Sequence, residues 1–110
     1  MYKIEKLTVK NRCEIPVGAV VEVEVAEEVD IPYSEISTVD SDDLFLKEYS
    51  NYATIHIRKT FAKQGLLQLV TTPLPEGVWK PLIVVQNNGV SPIELRAGDE
   101  IASVWVYQFN

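Results

Sequence analysis

The sequence predicts an all-β domain, a compact barrel or sandwich of short strands. Three observations carry that prediction. Hydrophobicity alternates with a period of two, most clearly at Val21-Glu22-Val23-Glu24-Val25, which puts valines on one face of a strand and glutamates on the other. Turn signals recur: prolines at 16, 32, 73, 75, 81 and 92, then Asn87-Asn88-Gly89 and Ala97-Gly98-Asp99. Proline cannot donate to a ladder, so it marks strand starts, turns and edges. The length, 110 residues, suits one domain around one core, so residues 1–110 read as a single unit.

Taken in order, residues 17–29 (VGAVVEVEVAEEV) read as one half-buried strand. Residues 34–52 break the pattern as an acidic, weakly periodic insertion. Ser41 suits the N-cap of a short helix over 42–49 with Asp42 and Asp43 in its first turn. An irregular surface loop is the other reading, and the pattern leaves both open. Strand character returns around Ile55 and Ile57, and again at Leu67 and Leu69, which share a face. The run WKPLIVVQNNG is more continuously apolar and reads as a buried strand ending in a turn. Two further strands, SPIEL and IASVWVYQF, join at Ala97-Gly98-Asp99.

Composition narrows the function classes. Hydrophobic residues make up 46%, which argues for a folded chain. Sixteen acidic against ten basic residues leave a net charge of −6. That balance argues against nucleic-acid backbones and anionic membrane surfaces, both of which need Lys and Arg, and suits a basic partner. Cys13 is the only cysteine and can form no internal disulfide. The first ten residues lack a signal-peptide core, and no apolar run approaches the roughly 18 residues of a membrane span. The expected setting is the interior of a cell, host cytoplasm, or a virion. His56 stands without a second His or a Cys cluster, so no transition-metal site is expected.

From Pro16 onward the order of features resembles the dUTPase and dCTP deaminase superfamily, a compact β-clip fold. IPVGAVVEVEVAEEVDIP is similar to the opening turn and strand of that fold. IHIRKTFAKQGLLQL is similar to the segment bearing the Arg-Ser-Ser or Arg-Ser-Gly motif, and PLIVVQNNGVSPIELRAGDEIASVWV to the strand ending in Asn and the Gly-Asp-Arg-Ile-Ala-Gln motif. The resemblance implies a trimer with active sites built from neighbouring subunits.

Weighed against the family motifs, the site residues diverge. The phosphate-binding Arg-Ser pair becomes Arg58, Lys59 and Thr60. Lysine attracts phosphate as a point charge but cannot replace a short hydroxyl. Ser103 stands for the family's glutamine, and Glu100 reverses the charge of its arginine. Gly98 and Asp99 remain, with an architectural role as their simplest reading. No aspartate lies between Leu69 and Ile83, where a dUTPase carries its general base. Counting from Gly65 puts Glu76, three residues before Trp79, at that place; counting back from Asn87 puts it nearer Leu74. The deaminase's strand glutamate is missing from LIVVQN, and the C-terminal arm of dUTPases is missing too.

These departures lead to the expectation that the chain is no enzyme. It would be a non-catalytic, homotrimeric viral accessory subunit from a phage, such as a capsid decoration protein. Its partners would be itself and a capsid or shell subunit, with no cofactor, metal, nucleic acid or membrane. The insertion would supply the contact: Asp42, Asp43, Leu44, Phe45, Leu46 and Tyr49 place apolar anchors within a charged rim, as interfaces do. A solvated loop, or Leu44 and Leu46 capping the barrel, are the other readings. The alternative function is a divergent nucleotide-binding protein or dUTPase-like pyrophosphatase using Arg58, Lys59, Thr60, Glu76, Trp79 and Ser103.

Overall fold

A computed structural model describes residues 2–34, 50–69 and 73–108. The described residues form strands β1 (Tyr2–Thr8), β2 (Cys13–Ile15), β3 (Val20–Glu24), β4 (Val29–Ile31), β5 (Tyr52–Ile57), β6 (Leu66–Gln68), β7 (Gly77–Trp79), β8 (Leu82–Asn87), β9 (Ile93–Leu95) and β10 (Glu100–Tyr107), with the single helical turn α1 (Lys59–Ala62) after β5. The all-β expectation holds. Two three-stranded sheets, β1-β10-β5 and β3-β8-β6, and two ribbons, β2-β9 and β4-β7, pack around one core. All six pairings in those sheets are antiparallel. The short helix expected at 42–49 and the proposed contact residues Asp42, Asp43, Leu44, Phe45, Leu46 and Tyr49 lie outside the described residues. No helix among the described residues is long and apolar enough to cross a membrane.

The single strand expected over residues 17–29 is two strands. β3 ends at Glu24, Val25 makes an isolated bridge with Val9, and β4 begins only at Val29. The cause lies in Ala26-Glu27-Glu28, where the alternation lapses. The Glu27 carboxylate turns back to accept the Thr8 amide at 2.7 Å and the Thr8 hydroxyl at 2.5 Å. The β1 register slips at this place, between Leu7 and Thr8. β1 itself was announced by no clear alternation.

Two turns fold the ribbon β2-β9 into the larger sheets. In Pro16–Ala19 and Arg96–Asp99 the fourth amide donates to the first carbonyl, at 3.0 Å in each case. Gly18 and Gly98 hold the third position with φ of +81° and +91°, the conformation a type II turn demands there. Asp99 Oδ2 also accepts the Arg96 amide at 2.9 Å. The expected architectural role of Gly98 and Asp99 is what the geometry shows.

Asn87 ties the centre together. It is fully buried; its side-chain amide donates to Ile15 and Ser91 carbonyls at 3.0 and 2.9 Å, and its Oδ1 accepts the Gly89 amide at 2.9 Å.

The apolar run expected as a buried strand buries one face within a single copy. In β8, Ile83 and Val85 are buried but Leu82 is 52% exposed. The register places Leu82, Val84 and Gln86 beside Glu24, Glu22 and Val20 of β3, with Leu67 of β6 flanking Gln86. Val20, Leu67, Leu69 and Leu82 therefore lie on the outer side of this sheet, each about half exposed. In β10 the same alternation buries Val104 and Val106 and leaves Trp105 and Tyr107 half-buried.

Candidate functional site

The corner where β5 passes into α1 gathers most of the expected phosphate-binding residues. At Arg58 the backbone is still extended (φ −67°, ψ 142°). Its amide donates to the Ile101 carbonyl at 2.9 Å, and its own carbonyl accepts the Phe61 and Ala62 amides. Strand thus becomes helix at this residue. Phe61 anchors the turn in the core, and Lys59 and Thr60 stay exposed.

Across the sheet, β10 runs antiparallel to β5 with Ser103 opposite His56 and Trp105 opposite Thr54. Directly opposed residues share a face, so Ser103, Trp105, Thr54 and His56 all look away from the core. His56, Ile57, Arg58, Lys59, Thr60, Ser103 and Trp105 line an open depression of about 290 Å³. The structure therefore unites Arg58, Lys59, Thr60 and Ser103, and adds His56 and Trp105, which sequence reasoning did not place in a site. Residues 54 and 56, and 103 and 105, do share strand parity, but the register between two strands is not written in either one.

The rings and charges of this corner are ordered. His56 and Trp105 stand nearly perpendicular, at 77°, with centroids 6.3 Å apart. One imidazole nitrogen, Nε2, lies 2.9 Å from the Thr54 hydroxyl. Glu100 sits between two cations, 3.6 Å from the Arg58 guanidinium and 3.4 Å from the Lys6 ammonium. Both contacts are solvent-exposed, so each contributes little and screens readily.

On the far side of Arg58 a second cleft, of about 500 Å³, is lined by Arg58, Thr60, Phe61, Gln64, Glu94, Arg96, Asp99 and Glu100. Its acids are already engaged. Glu94 accepts from Arg12 Nε at 2.9 Å, with Arg96 Nε at 3.6 Å, and Asp99 holds the turn. The hydrogen bond from Arg12, then its charge, holds the Glu94 carboxyl below the usual glutamate value. The same pairing raises Arg12. No group of three or more His, Cys, Asp and Glu side chains able to hold a metal ion occurs among the described residues.

Glu76 and Trp79 lie elsewhere. Glu76 Oε2 accepts the Ser34 amide at 2.5 Å and the Asn51 amide at 3.4 Å. Asn51 Nδ2 in turn donates to the Pro32 carbonyl. Glu76 thus clamps the end of β4 to the start of β5. Trp79 donates its indole N–H to the Pro75 carbonyl at 2.7 Å. Asn51 and Arg58 bracket the six residues of β5, a separation of roughly 20 Å at strand rise. Within one copy, Glu76 cannot serve chemistry at Arg58.

No family model and no curated protein matches the chain. A search of solved structures does find a match: the native dUTPase of EIAV superposes with a TM-score of 0.69 over 100% of this chain and 90% of that one, at 18% identity. The fold is dUTPase-like, as the motif order suggested. The same match overturns the expectation that the chain is no enzyme, because the structure it resembles from end to end is that of an enzyme. The missing motifs argued against one inherited mechanism only, and Arg58, Lys59, Thr60 and Ser103 still line one depression.

Proposed function

We propose that this chain is a dUTPase-like nucleotide-binding protein that works as a homo-oligomer, and that it holds the phosphates of a nucleoside triphosphate at Arg58, Lys59, Thr60 and Ser103. The observation that carries the reading is the convergence of those four side chains, from two strands and a turn, on one depression. Two of them are cations and two are hydroxyls, a donor set suited to phosphate oxygens. Lys59 serves as a mobile point charge and Thr60 brings a hydroxyl one residue beyond the expected place.

The outer face of β3-β8-β6 supports self-association. Val20, Leu67, Leu69 and Leu82 are each about half exposed on one side of one sheet, with Glu22 and Glu24 along its edge. A cluster of aliphatic side chains with a charged margin is the usual make-up of a protein contact. A homotrimer is the assembly that the fold suggests. Nothing among the described residues favours a viral shell partner over a second copy.

Calorimetry with dUTP, run beside an assay of pyrophosphate release, tests the reading. Arg58→Ala and Lys59→Ala should each weaken dUTP binding about tenfold or more, as loss of a charge-assisted hydrogen bond does. Absence of heat from any deoxynucleoside triphosphate at millimolar concentration would refute it.

A further inference from the structure

We infer that Lys6 is a further phosphate-binding residue of the corner, reaching from β1 across Ser103 to the phosphate oxygens that Arg58 holds. The inference rests on the nucleotide-binding reading above and adds a residue from a third strand to its phosphate site.

The register brings Lys6 there. Lys6 lies opposite Ser103, and Ser103 opposite His56, so the three form one row across β1, β10 and β5. Leu7, the next residue of β1, is buried opposite buried Ala102, which turns Lys6 away from the core. Ser103 lines the depression that holds Arg58, Lys59 and Thr60. Cβ atoms of opposed residues are about 5 Å apart, within the span of a flexible lysine side chain.

A resident carboxylate marks where the anion would sit. Leu7 pairs with Ala102 but Thr8 with Glu100, so Ile101 has no counterpart on β1. Ile101 and Ala102 are both buried, the lapse in alternation that a bulge leaves, and bulges re-aim the side chains beside them. Without the slip, Glu100 would share the parity of Ala102 and Val104 and face the core. With it, Glu100 stands on the outer face and bridges two cations. Its Oε1 lies 3.4 Å from the Lys6 ammonium and its Oε2 3.6 Å from the Arg58 guanidinium. Two cations that meet the two oxygens of one carboxylate can also meet two oxygens of one phosphate. The charge balance of the corner points the same way. A chain of net charge −6 repels a polyanion from a distance, so a local excess of cations is needed. Arg58 and Lys59 set against Glu100 leave a surplus of one positive charge, and Lys6 doubles it.

The experiment is calorimetry with inorganic triphosphate at low salt. Lys6→Gln should weaken binding about fivefold or more, and Lys6→Arg, which keeps the charge, should stay within about twofold of the parent. Removing Lys6 also frees Glu100 to hold Arg58, so the same change is made in a Glu100→Gln background, where that indirect route is closed. A direct contact predicts that Lys6→Gln still weakens binding there. If the loss appears only while Glu100 is present, or in neither background, the inference falls while the phosphate reading stands. If the unaltered protein binds no triphosphate, both fall. The Lys6 side chain is 63% exposed, so these substitutions should leave the fold in place. A second measurement needs no variant: in the unaltered protein, the NMR signals of the Lys6 side chain should shift as triphosphate is added. Signals that stay still while triphosphate binds would overturn the inference.

Discussion

Replacing Glu76 separates a structural carboxylate from a chemical one. In the structure it accepts the amides of Ser34 and Asn51, residues only 2% and 3% exposed. Glu76→Ala leaves both amides without this acceptor. A buried group left unsatisfied costs about 1–3 kcal/mol, and the Asn51 contact, at 3.4 Å, belongs at the weak end. The loss should total about 2–4 kcal/mol, a large share of the ~5–15 kcal/mol typical of a domain. Glu76→Gln keeps an oxygen but loses the charge. A charge-assisted bond is roughly twice as strong as a neutral one, so that variant should lose about 1–1.5 kcal/mol. At ~4–8 °C per kcal/mol for a chain of this size, Glu76→Gln should melt about 5–10 °C lower, and Glu76→Ala lower still. Urea and thermal unfolding at one fixed protein concentration measure this, since an oligomer's midpoint moves with concentration. A Glu76→Ala protein within about 0.5 kcal/mol of the parent would refute the clamp. So would a Glu76→Gln protein of unchanged stability whose pyrophosphate release falls ~10²–10⁴-fold, the signature of a lost general base.

Three further outcomes follow from the frame. Gly65→Ala should destabilise far more than Gly98→Ala: both have positive φ, but a side chain at 65 meets the Gly89 backbone at 2.5 Å while one at 98 meets open space. Urea midpoints give the order. Asn87→Ala strands two carbonyls and an amide that its side chain serves, and should cost about 3 kcal/mol or more by the same measurement. Arg12→Gln should return the Glu94 carboxyl toward its ordinary value in an NMR titration. Because Glu94 is held low when folded, it binds fewer protons than in the unfolded chain near its ordinary value. Its stabilising contribution is therefore present above that value and is lost as pH falls through the lower, folded one. The variant's stability should fall less steeply across that acidic window.

The fold was legible because it is built from signals one strand can carry. Alternation foretold β3 and β5, a continuous apolar run foretold β8, and Gly98 foretold its turn. The break at Glu27 was not legible as a bond, since its partner Thr8 lies 19 residues away. Nor was β1, whose place beside β10 rests on register and not on alternation. In the site, Arg58, Lys59, Thr60 and Ser103 could be named from motif order. His56 and Trp105 could not, because only the pairing of β5 with β10 puts them beside that motif. Glu76 shows the converse limit. A carboxylate at a suitable distance along the chain says nothing of the backbone amides it meets in space.

Glu100 decides how the corner's charge works. In sequence it reads as a reversed charge that spoils phosphate binding. In the structure it is an exposed partner, 3.6 Å from Arg58 and 3.4 Å from Lys6, with side chains 40% exposed on both sides of the Arg58 contact. Such pairs contribute about 0–1 kcal/mol, so Arg58 is lent to Glu100 and not consumed by it. A triphosphate carries several negative charges and competes for the guanidinium with ease, but it must still approach a resident carboxylate. Glu100→Gln should therefore tighten inorganic triphosphate binding, by up to about fivefold at low salt. The gain should shrink as salt rises and the Debye length falls toward ~3 Å. Calorimetry across a salt series reads both effects. Binding that is unchanged or weaker in Glu100→Gln at low salt would show that phosphate does not share Arg58 with this carboxylate, and would remove Arg58 from the phosphate-binding corner.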